Sequence, residues 1–95
     1  MRESQFQAKL IKELKELFPG CVVIKNDPNY QQGFPDLLIL HKQRWAALEC
    51  KASPTSSQQP NQAYWVDSLG AMSYAAFINP SNKGHILSEL ERELD

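Results

Sequence analysis

Asp36, Glu49 and Lys51 are the residues of this chain whose types and spacing point to a reaction. Asp36 follows Gly33-Phe34-Pro35, and Glu49 comes thirteen residues after Asp36, within Glu49-Cys50-Lys51. Side chains alternate faces along an extended strand, so Glu49 and Lys51 project together while Cys50 projects the other way. A carboxylate and an ammonium near the end of an otherwise apolar strand cost desolvation unless something binds there. Asp36 stands at the head of the preceding extended segment. In a hairpin with a short turn, the start of one strand lies beside the end of the next, which brings Asp36 to Glu49 and Lys51. Two converging carboxylates repel unless a cation holds them. Their hard oxygens suit Mg²⁺ or Mn²⁺, and an adjacent Lys orients a water and stabilises charge growing on a phosphate. The set reads as metal-assisted phosphodiester hydrolysis. The competing reading is an ordinary Glu-Lys pair on an exposed edge strand, with Asp36 merely following a Pro turn.

The elements that must position these residues are legible in the pattern. Phe6, Leu10, Ile11, Leu14, Leu17 and Phe18 recur at helical spacing, Lys9, Lys12, Glu13, Lys15 and Glu16 fill the other face, and Pro19-Gly20 stops the helix. Ser4 to Gln7 fits a capping box, which leaves Glu3 just outside the helix. Cys21 to Lys25 predicts a strand, Asn26 to Phe34 a polar loop, Asp36 to His41 a second strand, and Arg44 or Trp45 to Lys51 a third. Lys42-Gln43 is a tight connection, so at least the last pair is antiparallel. A Ser/Pro/Gln-rich loop precedes a helix from about Ser57 to Leu69, ended by Gly70. Met72 to Ile78 predicts a fourth strand, and Asn79-Pro80 a final helix start with Asn79 as cap, ahead of Ile86, Leu87, Leu90 and Leu94. The order is αβββαβα, an α/β domain over 1–95 with no repeat or linker.

Composition narrows the class. A chain of 95 residues with 42% apolar and 22% charged residues is one ordinary globular domain, neither disordered nor disulfide-dense. Its apolar runs, such as Leu37 to Leu40, are far short of a bilayer span. No apolar signal core follows Met1, which predicts a cytoplasmic protein, in the host cytoplasm if the gene is viral. Cys21 and Cys50 are expected as buried reduced thiols. The net charge is −1, but residues 1–51 carry +2 and residues 52–95 carry −3, which places any anion-binding face in the first half. Lys9 and Lys12 could meet phosphates from the first helix, or simply solvate it. Asn26, Asn29, Tyr30, Gln31 and Gln32 are candidates for backbone hydrogen bonds or a stacked base, against the alternative of a plain polar turn. His41 and His85 lack zinc-site spacing and are expected at the surface. Trp45, Tyr64 and Trp65 are expected as core or interface aromatics.

Gly-Phe-Pro-Asp followed by Glu-Cys-Lys resembles the PD-(D/E)xK nuclease superfamily, and more narrowly its small stand-alone VRR-NUC domains. Glu3 with Gln7 in the first helix, Lys25 on the first strand, and Gln62, Trp65, Leu69 and Gly70 in the second helix extend the likeness over most of the chain. The resemblance implies a restriction-endonuclease-like core, a mixed four-stranded sheet flanked by helices. It implies that Asp36 and Glu49 bind the divalent metal with the Cys50 backbone carbonyl, that Glu3 completes the acidic site directly or through water, and that Lys51 activates or positions the attacking water. Gln62 would hold Lys51, the water or the DNA backbone, with Gln58 and Gln59 as competitors for that role. Lys25 would contact phosphate. The chain departs from the family at Leu37, where an arginine often follows Pro-Asp.

The expected function is a Mg²⁺/Mn²⁺-dependent DNA endonuclease acting on structured DNA, with the four-way (Holliday) junction as first substrate and no organic cofactor. Symmetric cutting of a junction needs two sites, so a homodimer follows, with Trp65, Met72 or the last helix as its interface. A nuclease on flap or simple duplex DNA, and a nucleic-acid-binding module that does not cleave, are the alternatives.

Overall fold

The computed structural model describes residues 1–95, the whole chain. Its elements run α1 (Glu3–Leu17), β1 (Val22–Lys25), β2 (Leu37–His41), β3 (Arg44–Cys50), α2 (Pro60–Met72), β4 (Tyr74–Ile78) and α3 (Lys83–Leu94). The four strands form one sheet in the order β1-β2-β3-β4, antiparallel except for the parallel pair β3–β4. The expected αβββαβα order and mixed sheet are both present. α2 is the crossover that a parallel pair requires.

Each face of the sheet follows from alternation along its strands. Leu37, Ile39, Ala46, Leu48, Cys50 and Ile78 point to one face, where Phe6, Leu10, Leu14 and Phe18 of α1 and the following turn, and Ile86, Leu90 and Leu94 of α3, close the core. Each fully buried Leu or Phe there stabilises the fold by about 1.5–3 kcal/mol. Leu38, Ala47, Glu49, Ala75 and Phe77 point to the opposite face, against which α2 packs through β3 and β4. α2 covers the β1 and β2 side of this face only in part, and Val22, Ile24 and Leu40 are exposed there.

Local chemistry shifts several boundaries from the sequence expectation. α1 starts at Glu3, not after Ser4, because Gln5 Oε1 accepts the Arg2 N–H at 3.0 Å and caps the helix two residues earlier. Gly70 does not end α2, which runs on to Met72, since packing along β4 outweighs the roughly 1 kcal/mol helix cost of one glycine. β4 accordingly begins at Tyr74. Asn79 does not cap α3. Its Oδ1 accepts the Ser81 and Asn82 amides at 2.8 and 3.1 Å, folding a turn around Pro80, and the helix begins at Lys83. The β2–β3 connection is the two-residue turn Lys42-Gln43, with Lys42 in the left-handed region at φ 59°.

Two further expectations, for His41 and Cys21, are corrected by packing. His41 is buried, its ring 5.3 Å from that of Phe18 and its Nε2 3.2 Å from Asp95 Oδ1, because it continues the core face of β2. His85 is exposed, as expected. Cys50 is buried and Cys21 half-buried, both free. Trp45 and Trp65 are half-buried and Tyr64 is exposed, so none joins the core; all three sit on or beside the thinly covered α2 face.

Candidate active site

Asp36 and Glu49 meet where β2 begins and β3 ends. Leu37 pairs with Leu48, so Asp36, one residue earlier, stands opposite Glu49, one residue later, on the α2 face of the sheet. The Cys50 N–H donates to Asp36 Oδ2 at 2.9 Å and fixes that carboxylate across the strands. Cys50 itself turns into the core, with Gln7 of α1 beside its thiol, which burial pushes up to about 12. Lys51 follows β3, with its N–H bonded to the Ile78 carbonyl at 2.9 Å.

Glu49 and Lys51 are 2% and 7% exposed, so neither charge is solvated as an edge-strand ion pair would be. The Lys51 ammonium donates to Gln62 Oε1 at 2.7 Å and to the Ser57 carbonyl at 2.9 Å, and lies 3.8 Å from Glu49 Oε2. Gln62 Nε2 donates to Glu49 Oε2 at 2.9 Å. Glu49 Oε1 is buried and has no hydrogen-bond partner. Burial and the Asp36 charge push the Glu49 carboxyl up to about 8, against the pull of Lys51, and Glu3 adds a further push. Burial also raises Asp36, against the pull of the Cys50 amide, Lys51, a hydrogen bond with the Glu49 side chain, and Lys25.

Two loops set this geometry. Gly33 adopts φ +83°, and a Cβ there would lie 2.3 Å from Asn61 Cβ. Only glycine lets the loop touch the first turn of α2. The Phe34 ring then meets Trp65 edge-on, centroids 5.1 Å apart. Asn26 closes the neck of the loop, its amide N–H donating to the Asp36 carbonyl at 2.8 Å and its Nδ2 to the Pro35 carbonyl at 2.7 Å. Gln62 is the third residue of α2, and its Oε1 also accepts the Gln59 N–H at 3.0 Å. The side chain that ties Lys51 to Glu49 is thereby anchored to the helix start.

The structure thus brings together Asp36, Glu49, Lys51 and Gln62. Gln62, not Gln58 or Gln59, is the glutamine bonded to the acid and the lysine. Glu3, at the start of α1, is near enough to act on Glu49 by charge, but no three Asp, Glu, His or Cys side chains gather into a metal cage. Lys25 lies near enough to pull on Asp36, and with Tyr30 and Gln31 lines a neighbouring cleft. Asn29 does not line it. Its amide N–H instead turns back to Asp27 Oδ1 at 2.9 Å. Lys9 and Lys12 are exposed on α1, which packs the other face of the sheet, and are not brought to the acids. Leu37 is fully buried in the core, where a charged side chain would be costly.

Sequence reasoning missed Ser57, whose contribution is a backbone carbonyl and leaves no residue signal. It also missed the contact role of Trp65, which its position one turn after Gln62 could have revealed. The donor set fits a hard divalent cation: two facing carboxylates, each raised by burial, and one carboxylate oxygen still without a partner. No family model, curated protein or solved structure matches the chain. No helix is long and apolar enough to cross a membrane.

Proposed function

We propose that this domain is a Mg²⁺- or Mn²⁺-dependent DNA endonuclease of VRR-NUC type, built on a restriction-endonuclease-like core and acting on structured DNA, with a four-way junction as first substrate. One observation carries the reading. Glu49 keeps one buried carboxylate oxygen, Oε1, without a partner, while its other oxygen accepts from Gln62 and lies 3.8 Å from the Lys51 ammonium, in a carboxyl on which the Asp36 charge acts. A structural ion pair would satisfy that oxygen, because an orphaned buried acceptor costs about 1–3 kcal/mol.

Asp36 and Glu49, with the Cys50 carbonyl, would hold the cation, which supplies Lewis-acid stabilisation of the phosphate and lowers the pKa of a bound water. Lys51 directs two of its three N–H groups to Gln62 and Ser57. The third is free for a phosphoryl oxygen or the attacking water, so Lys51 acts as a positioning donor and charge stabiliser rather than as a base. Gln62 holds that ammonium in place. Water adds its oxygen to phosphorus, the bond to one sugar oxygen breaks, one water proton ends on that oxygen, and the other stays with the new phosphate or passes to solvent. One strand end keeps the phosphate and the other a hydroxyl. Lys25 stands ready to meet an adjacent phosphate, and affinity comes from backbone contacts and DNA shape.

Symmetric junction cutting calls for a two-fold homodimer. The stripe Ile86, Leu90 and Leu94 of α3 is buried within the chain and is not its interface. The surface that supports a dimer is an apolar groove of about 330 Å³ walled by Leu38, Leu40, Trp45, Leu69 and Met72.

The test is cleavage of a four-way junction, a flap and a linear duplex at one salt concentration, with EDTA, Mg²⁺ or Mn²⁺. Metal-dependent cutting that Asp36→Asn and Lys51→Met each abolish is expected. Absence of cutting on all three DNAs, or equal cutting by the Asp36→Asn protein, overturns the reading.

A further inference from the structure

Beside the acidic centre lies a cleft of about 340 Å³, within the size range of small-ligand pockets. Its walls are the end of β1, the β1–β2 loop and α2: Lys25, Asn26, Tyr30, Gln31, Phe34 and Trp65, with Asp27, whose carboxylate accepts the Asn29 amide of the same loop. We infer that this cleft stacks one unpaired nucleobase of the DNA strand being cut, next to the scissile phosphate. The inference rests on the nuclease reading of the neighbouring acids, and names the substrate feature that the site selects.

Three observations carry it. First, the cleft is aromatic where it is open. Tyr30 is 89% exposed, an unusual state for so large a ring, although its loop is held by bonds from the Tyr30 and Asn29 amides to Asp27. Phe34 and Trp65 are locked edge to face at 5.1 Å, so the rings are pre-positioned rather than free to collapse. A base has a π-face of any sequence, and stacking on such rings is worth about 1–3 kcal/mol. Second, polar groups accompany the rings. Asn26 commits its Nδ2 to the Pro35 carbonyl and retains its Oδ1 as an acceptor, while Gln31 offers an amide and Lys25 a charge for phosphate. Third, cleft and acids share their supports. Phe34 precedes Asp36 by two residues, and Trp65 follows Gln62 by one helical turn, about 4.5 Å along the axis. A nucleotide in the cleft therefore neighbours the reacting phosphate. Bases in an intact duplex have both faces covered by their stacked neighbours, so only an unpaired or extruded base fits.

The test needs no cleavage. A duplex carrying one bulged 2-aminopurine, the same duplex fully paired, and one with an abasic site at that position are titrated in EDTA, following 2-aminopurine fluorescence and, for the abasic DNA, anisotropy of an end label. The bulged base is expected to be quenched on binding, with the paired and abasic DNAs bound about tenfold more weakly, the equivalent of roughly one stacked base. Trp65→Leu and Tyr30→Ala should each remove the quenching. Tyr30 is exposed, so Tyr30→Ala keeps its fold by circular dichroism even if Trp65→Leu does not. Equal affinity for the three DNAs, or quenching that survives Tyr30→Ala, overturns the inference. Quenching of Trp fluorescence by a free deoxynucleoside monophosphate at comparable concentration also overturns it, assigning the cleft to a free nucleotide. A bulge preference without metal-dependent cutting would instead sink the nuclease reading and leave the base pocket standing.

Discussion

Gln62 accepts a hydrogen bond from the Lys51 ammonium at 2.7 Å and, from the other end of the same amide, donates to Glu49 at 2.9 Å. One neutral side chain thus orders an ammonium and a carboxyl group that stand only 3.8 Å apart. Gln62→Leu leaves Lys51 one acceptor short and Glu49 without its donor. The expected result is a 10–100-fold loss of metal affinity or rate, the usual cost of removing a partner that orients ligands. A shift of half-maximal activation to higher Mn²⁺ marks the positioning role. An unchanged metal titration contradicts it.

Gly33 seats the β1–β2 loop against the start of α2. With φ +83° and Asn61 Cβ 2.3 Å from where a side chain would begin, Gly33→Ala must both strain the backbone and push the loop off α2. The expected stability loss is about 1–3 kcal/mol, read as a lower urea midpoint, with loss of DNA cleavage. Gly20, whose Cβ would meet nothing within 4 Å, is the comparison site at similar φ. Gly20→Ala should cost stability but spare cleavage.

Glu49 makes stability fall with pH. Its carboxyl is raised from 4.5 in the unfolded chain to about 8 in the fold, by burial first and by Asp36 second. The folded state therefore holds more protons across that window, and stability present below pH 4.5 is lost as pH rises through 8. Asp36, also raised by burial, acts in the same direction. In EDTA, Glu49→Gln should flatten the decline and raise Tm at pH 8.5 by about 4 °C or more, while abolishing Mn²⁺-dependent cutting. A variant less stable than the parent at that pH refutes the assignment.

The apolar groove gives a separate expectation. Leu40 and Met72 are 37% and 71% exposed on it. If it joins two copies, Leu40→Glu with Met72→Glu yields a monomer in sedimentation equilibrium, with the fold intact and junction cutting reduced to single nicks. A parent protein that sediments as a monomer at micromolar concentration excludes the groove as a dimer seam.

How much of this was legible in the residues follows from the range of each interaction. The element order, the core stripe of α1, the tight Lys42-Gln43 turn and the nearness of Asp36 to Glu49 could all be read from the residues, because helical and strand periodicity and short links are local properties. A hairpin that pairs Leu37 with Leu48 leaves Asp36 nowhere to stand but opposite Glu49. Tertiary structure alone decided which glutamine reaches Lys51, since Gln58, Gln59 and Gln62 differ only in how α2 lies on the sheet. It decided that Gly33 touches Asn61, a contact between residues 28 positions apart in the chain. It also moved His41 inward, carried α2 past Gly70, and put Trp65 against Phe34 rather than in the core. Those outcomes depend on which surface each element finds, and burial against a distant partner outweighs the roughly 1 kcal/mol preferences that a local pattern records.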